Sequence, residues 1–396
     1  MALSNTFIPY GAYWSSPFCR WQGALANENS VVLAANTARR FFEQSKGSAE
    51  DFDSLIFGFS VPQKHSFYGA PWVAGMMGIP GITGPTVSQA CATSVQIMQV
   101  AAGQLETGLG SCVLGLAGDR TSNGPHLVYP NSKGIGGRGD AEDWVWDNFN
   151  KDPYAGGPMI STAENVAKKA GLTKEEQDEI TLLRHQQYAD GLADGRAFQK
   201  RYMFPVEIGR GKRAKLIEED EGIFPTTAEG LAKLRPAMEG GTVSFGTQTY
   251  PADGNAGMVL CSKEKAASFS KDESISIQVL GFGTARVEKG HMPMAVVPAA
   301  EAALKHAGVA LGDVKAIKTH NPFAVNDVYF CKQTGIKPEA MNRYGSPLIF
   351  GHPQGPTGMR AVIEMIEELV LAGGGLGLFS GCAAGDTAMG LVLKVG

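Results

Sequence analysis

Four short segments of this 396-residue chain carry side chains able to do chemistry. In Ser88-Gln89-Ala90-Cys91-Ala92-Thr93-Ser94, a cysteine follows a stretch broken by Gly81, Gly84 and Pro85. It precedes a run with Val95, Met98, Ala102 and Leu105 on one helical face, ending near Gly108 and Gly110. A thiol in the first turn of a helix meets unpaired N–H groups and a positive dipole end, both favouring thiolate. The same N–H groups can hold a developing oxyanion. The competing reading is a small buried hydrophobe. In Gly351-His352-Pro353-Gln354-Gly355-Pro356-Thr357-Gly358, glycines and prolines fix the backbone around a histidine ahead of a helix with Val362, Met365, Ile366 and Leu369. Such an imidazole can take a proton from a thiol, or simply complete a tight turn. Cys382, in Gly381-Cys382-Ala383-Ala384-Gly385, ends an apolar strand with Leu376, Leu378 and Phe379. His320-Asn321-Pro322-Phe323 closes another strand, where proline can hold two polar side chains in the turn.

The elements that must position these groups read as a duplication. The strand outline Asp53 to Pro62 returns at Asp313 to Pro322, and each is followed by a glycine-rich turn into a helix, at Cys91 and at His352. Each helix leads to a Gly-rich strand with a matching phrase, Gly115 to Thr121 and Gly381 to Thr387. The expectation is two α/β halves of like topology, each feeding a mainly parallel sheet, with the site where the corresponding turns converge. The expected divisions are 1–122 with 241–270 for the first half, 123–240 for an inserted loop subdomain, and 271–396 for the second half. The insertion begins with His126, Tyr129, Trp144, Trp146, Phe149 and Tyr154. It continues with helices over Ala163 to Lys169 and, from a Thr173/Glu176 capping box, to about Ala189. The charged segment from Lys212 to Glu221 reads as solvated loop, and Gly240 to Ser244 as a return to sheet.

A net charge of −4 offers no general attraction to nucleic acid or anionic membranes. No apolar run is long enough to span a bilayer, and Met1 to Asn5 lacks a signal-peptide pattern, so a cytoplasmic location is expected. The six cysteines form no C-x-x-C pair, and neither a disulfide framework nor a metal site is expected.

Together the four segments resemble the thiolase superfamily, over essentially the whole chain. Ser16 to Ala26, Ile160 to Ala167 and Gly241 to Ser244 are similar to further, weaker family segments. The resemblance implies a thiolase fold, with two duplicated halves in a five-layer αβαβα arrangement. It implies a ping-pong acyl transfer in which coenzyme A is co-substrate and no cofactor is tightly bound. Cys91 matches the nucleophile, His352 its base, and Cys382 the second acid–base thiol. His320 and His352 would form one oxyanion hole, and the N–H groups of Cys91 and Ala384 the other. Met159 and Thr249 match coenzyme A-contacting positions. His320-Asn321-Pro322-Phe323 departs from the classical Asn-Glu-Ala-Phe, and resembles the His-containing sterol-carrier-protein-x and archaeal-like subgroup. That subgroup implies a homodimer core and a small zinc-ribbon/OB-fold partner subunit. Within it, the chain resembles the thiolases of anaerobic toluene degradation, which implies cleavage of benzoylsuccinyl-CoA to benzoyl-CoA and succinyl-CoA. Trp144, Trp146, Phe149 and Tyr154 could line an acyl pocket or merely anchor their own loop. Arg120, Arg138 and Arg235 are open candidates for a substrate carboxylate. The ending Cys382-Ala383-Ala384-Gly385-Asp386 is less glycine-rich than the family's. A decarboxylating or Claisen condensing enzyme of the superfamily, or a non-catalytic scaffold subunit, is the alternative reading.

Overall fold

Apolar runs with few charges form strands buried on both faces, which demands helices above and below them. In the computed structural model, which describes residues 2–209 and 211–396, such runs form the centre of two sheets. The first half comprises β1 (Tyr13–Ser15), β2 (Cys19–Arg20), α1 (Ser30–Phe42) and β3 (Ser54–Gly58). It continues with α2 (Gly69–Met76), β4 (Thr86–Val87), α3 (Thr93–Glu106) and β5 (Cys112–Arg120). An insertion follows with β6 (His126–Tyr129), β7 (Asp140–Asp143), α4 (Trp146–Asn150), α5 (Met159–Ala170) and α6 (Lys174–Arg196). It ends with β8 (Val206–Ile208), β9 (Lys215–Ile217) and α7 (Ala228–Lys233). The chain re-enters the first sheet as β10 (Ala252–Cys261), buried along its whole length, and passes α8 (Ala266–Phe269).

The second half holds β11 (Ile277–Arg286), α9 (Val296–Ala307), β12 (Val314–His320) and α10 (Ala324–Thr334). After these come α11 (Pro347–Phe350), α12 (Gln354–Leu371), β13 (Gly375–Ala383) and β14 (Thr387–Val395). Strand order is β1-β10-β5-β3-β4 in one sheet and β11-β14-β13-β12 in the other. The duplication is therefore real in topology: β3 runs parallel to β5 as β12 does to β13, and β10 and β14 return antiparallel. The expectation of mainly parallel sheets fails, because the strands after β5 and β13 come back beside them. One phrase match is also corrected. Asp119 lies within β5, whereas Asp386 sits in the turn after β13 with φ +61°.

Helix α12 is buried along most of its length and contacts β1, β5 and β10 on one side and β12 and β13 on the other. With α3 it forms the middle layer, while α1 and α2 cover the first sheet and α9 the second. The two middle helices approach closely at Gly358, where a methyl would stand 2.9 Å from Val95 and 3.1 Å from Ser94 Oγ. Ser94 Oγ accepts the Met359 N–H there at 2.8 Å.

In and beside the insertion, four features differ from expectation. Helix α5 starts at Met159, and α6, opened by the Thr173/Glu176 capping box, runs past Ala189 to a break at Ala193–Gly195. Gly241–Ser244 is not a sheet strand: Thr242 and Val243 give their N–H groups to Glu164, and the sheet resumes at Ala252. The charged segment is not all solvated. Asp220 makes a bidentate pair with Arg360 of α12, both oxygens at 2.7 Å, in full burial. A charge taken from water needs such a partner, so the insertion is locked to the central helix.

Candidate active site

Cys91 lies in a 3-10 turn, Ala90–Ala92, that runs into α3. Ala90 takes φ +46°, a strained conformation for a residue with a Cβ. Thr93 holds that turn, its hydroxyl accepting the Gln89 N–H at 2.9 Å and donating to Ala90 O at 2.7 Å. The N–H groups of Ala384 and of Cys91 itself act to lower the Cys91 thiol. Burial outweighs them and pushes the thiol up to about 12. The thiolate expected from the helix N-terminus is thus not the resting form.

His352 is delivered by the turn between α11 and α12. Its backbone N–H donates to Tyr250 O (3.0 Å), clamping the turn to the approach of β10. Gly351 takes φ +87°, and a methyl there would stand 2.7 Å from the Tyr250 ring, so glycine is required. The Thr357 hydroxyl donates to Pro353 O (2.6 Å), so it must accept from His352 Nδ1–H (2.7 Å). That fixes the tautomer: Nε2 carries the lone pair and has no hydrogen-bond partner among the described residues.

His320 ends β12, and its ring centroid is 4.1 Å from that of His352. Neither of its nitrogens has a partner among the described residues. Burial lowers its pKa to about 3, and holds His352 well below the usual range with help from His320, so both rings are neutral. Cys382 is the next-to-last residue of β13, in full burial, beside Gly381, which pairs with His320 across the strands. Burial raises its thiol strongly, the charge of a nearby Cys91 thiolate would raise it further, and Asn326 Nδ2 donates to its sulfur at 3.2 Å.

The ligand atoms of Cys91, His320 and His352 all lie within 4.8 Å of one another. They form an acid–base set, and the same three atoms could serve a soft divalent cation. Asp119 of β5 ties the two halves together here, accepting from Ser60 N–H and Oγ–H, from Val61 N–H, and from Gly355 N–H at 2.6 Å. Burial raises its carboxyl to about 6.

Other candidate residues are placed less centrally. Thr249 donates its N–H to Pro322 O (2.7 Å) and its hydroxyl to Pro347 O (2.6 Å), beside the His320 turn. Met159 opens α5 and packs on the core that includes Phe323 and Cys382. The aromatics divide. Trp144 donates to Ser60 O (3.0 Å), two links from the His352 turn through the Ser60–Gln354 hydrogen bond. Trp146 packs on Trp21 and Phe149. Tyr154 lies instead against Arg286 and Lys289. Arg120 spends its guanidinium on Glu28 O and Asn123 O, while Arg138 and Arg235 are exposed. Asn326 and Asp119 escaped sequence reading, since nothing in their local pattern announces a contact. Thr357 stood inside the histidine motif, five residues on, where an i−4 hydroxyl bond to Pro353 could have been expected.

A buried cysteine–histidine pair with a second thiol, on paired α/β halves, is a set able to carry an acyl group. The chain matches the family descriptions "Thiolase, N-terminal domain" over residues 13–264 and "Thiolase, C-terminal domain" over 274–395. It is 31% identical to acetyl-CoA acetyltransferase 2 of Arabidopsis thaliana over 392 residues, covering 96% of this chain and 95% of that protein. It is 27% identical over 383 residues to the acetyl-CoA acetyltransferase of Escherichia coli (strain K12), covering 94% and 95%. Among solved structures, the Bacillus anthracis acetyl-CoA acetyltransferase superposes with a TM-score of 0.91 at 27% identity, over 100% of this chain and 99% of that one. Human mitochondrial 3-ketoacyl-CoA thiolase in complex with CoA gives 0.91 at 26% identity, over 100% and 99%. The chain belongs to the thiolase family and has the thiolase fold. It is an acyltransferase with coenzyme A as co-substrate.

Proposed function

We propose that this enzyme cleaves a 3-ketoacyl-CoA with coenzyme A, through an acyl group carried on Cys91. The observation that carries this reading is the convergence of the ligand atoms of Cys91, His352 and His320 within 4.8 Å. His352 Nε2 takes the Cys91 proton as sulfur attacks the C3 carbonyl. The alkoxide is held by N–H groups of His320 and the newly protonated His352. Collapse breaks C2–C3, and the electron pair leaves on C2 as the enolate of a shorter acyl-CoA. Cys382 gives its proton to that carbon. The thioester oxygen left on Cys91 accepts from the N–H groups of Cys91 and Ala384. The Cys382 thiolate then takes the proton of coenzyme A, whose sulfur displaces Cys91, and Cys91 recovers its proton from His352. Met159 and Thr249 flank the coenzyme A arm.

For the acyl group we favour a bulky aryl ketone such as benzoylsuccinyl-CoA, giving benzoyl-CoA and succinyl-CoA. His320 in place of asparagine, and Trp144 drawn toward the His352 turn, support it. The same resemblance supports a cytoplasmic enzyme with a small zinc-ribbon/OB-fold partner. The short edge strand β4, with exposed Phe67 and Tyr68 beside it, supports a homodimer. Residues 1–122 with 241–270, 123–240 and 271–396 serve as the natural divisions.

The test is mass spectrometry of the Cys91 peptide after incubation with a panel of acyl-CoAs, beside turnover of variants. A Cys91→Ser protein should lose cleavage, and a Cys382→Ser protein should lose carbon–carbon cleavage more than thioester exchange. Unchanged turnover in Cys91→Ser would end the mechanism, and the absence of any aroyl adduct would end the aryl assignment.

A further inference from the structure

We infer that Asn326 is a further active-site residue, whose amide donates to the Cys382 sulfur and stabilises it in the thiolate stage of the reaction. The inference rests on the reading of Cys382 as the thiol that protonates the enolate. Once Cys382 gives up its proton it becomes an anion in full burial. Water cannot solvate it there, so fixed donors must. Asn326 Nδ2 stands 3.2 Å from that sulfur, and the residue is 1% exposed.

The amide cannot turn its oxygen to the sulfur without loss. Oδ1 accepts the Phe323 N–H at 3.3 Å, and a flipped amide would set two donors face to face. The first turn of α10 is itself anchored by the next residue. Asp327 accepts from Thr319 Oγ1 (2.7 Å), Asn321 Nδ2 (2.7 Å), Asn342 Nδ2 (3.2 Å) and Arg184 Nε (2.8 Å). Thr319 and Asn321 flank His320 in sequence. One buried cluster therefore fixes both the His320 turn and the donor to Cys382, and through Arg184 it ties them to α6 of the insertion. A neutral amide suits the task. A carboxylate at this position would repel the thiolate, and a hydrocarbon would leave it without a donor.

The experiment compares the parent with Asn326→Asp and Asn326→Leu. The pH dependence of iodoacetamide alkylation is read separately for the Cys382 and Cys91 peptides, beside single-turnover cleavage of acetoacetyl-CoA. Alkylation of Cys382 should move at least one pH unit to the alkaline side while the Cys91 profile stays in place. Cleavage should slow on the order of 10- to 100-fold, with KM little changed. If Asn326→Leu does not fold, the isosteric Asn326→Asp carries the same readouts. A Cys382 profile and a cleavage rate within twofold of the parent in a folded variant would overturn the inference. A shifted Cys382 profile in the variants, with a parent that cleaves neither acetoacetyl-CoA nor an aroylacetyl-CoA, would support the hydrogen bond and overturn the reaction instead.

Discussion

The resting state of Cys91 is the sharpest prediction of the site. A cysteine at a helix N-terminus beside a histidine invites a stable thiolate–imidazolium pair, as in enzymes whose thiols are activated in advance. Here burial lifts the thiol from an ordinary 9.0 to about 12, and His320 falls to about 3 with His352 also far below 6.5. Three pH units mean about 1000-fold less thiolate than an ordinary cysteine carries at the same pH. The sulfur would ionise only as it attacks, with the proton passing to His352 in that step. Alkylation of the Cys91 peptide by iodoacetamide, followed by mass spectrometry from pH 6 to pH 10, reads this directly. The logarithm of the rate should climb with a slope near one throughout. The acid side of kcat/KM should show no inflection near 6.5, because neither histidine takes up a proton there. A plateau in alkylation between pH 6 and pH 8 would reveal a preformed ion pair and refute the argument that burial wins over the helix end.

Three further outcomes follow from contacts around the site. Gly381→Ala would place a methyl 2.8 Å from both His320 Cβ and the Phe379 ring. Moving His320 should cost about 10- to 100-fold in kcat/KM, with about 1–3 kcal/mol of stability; kinetics equal to the parent would mean His320 tolerates displacement. Asp220→Asn leaves the Arg360 guanidinium, stacked on Phe18 and Phe350, with Glu364 as its remaining carboxylate partner. Urea unfolding should register a loss of about 3–5 kcal/mol, and less than 1 kcal/mol would show that the pair does not anchor the insertion. Finally, His320 binds a proton near 6.5 when unfolded but only near 3 when folded. The unfolded chain holds the extra proton between those values, so His320 contributes stability that is present above 6.5 and lost as pH falls toward 3. Asp119 acts in the opposite sense, its folded value of about 6 against 3.8 favouring the folded state as pH falls through that window. Between pH 6 and pH 4 unfolding should thus be less acid-sensitive in His320→Asn than in the parent, and more acid-sensitive in Asp119→Asn. Identical slopes in all three proteins would contradict the burial of these groups.

What could be read from the sequence was the part written in short-range chemistry. Glycine and proline spacing announced the turns at Cys91 and His352, because those backbones leave few residue types a choice. Paired strand outlines announced the duplication, because like topology reuses like burial. The sheets came out mixed because pattern alone does not show which way a strand returns: β10 arrives after the whole insertion, and β14 after a turn of a few residues. The neutral resting thiol has a related cause. The dipole end of α3 is local and visible, whereas the burial that overrides it is built by α12, β13 and β14 from the far end of the chain. Asn326, Asp119 and the Asp220–Arg360 pair are invisible for the same cause, since each meets its partner across an interface between elements far apart in sequence. The candidate side chains were local, and their protonation states were not. In such a site a candidate nucleophile can be named from its neighbours, but how it would be activated depends on what is packed against it.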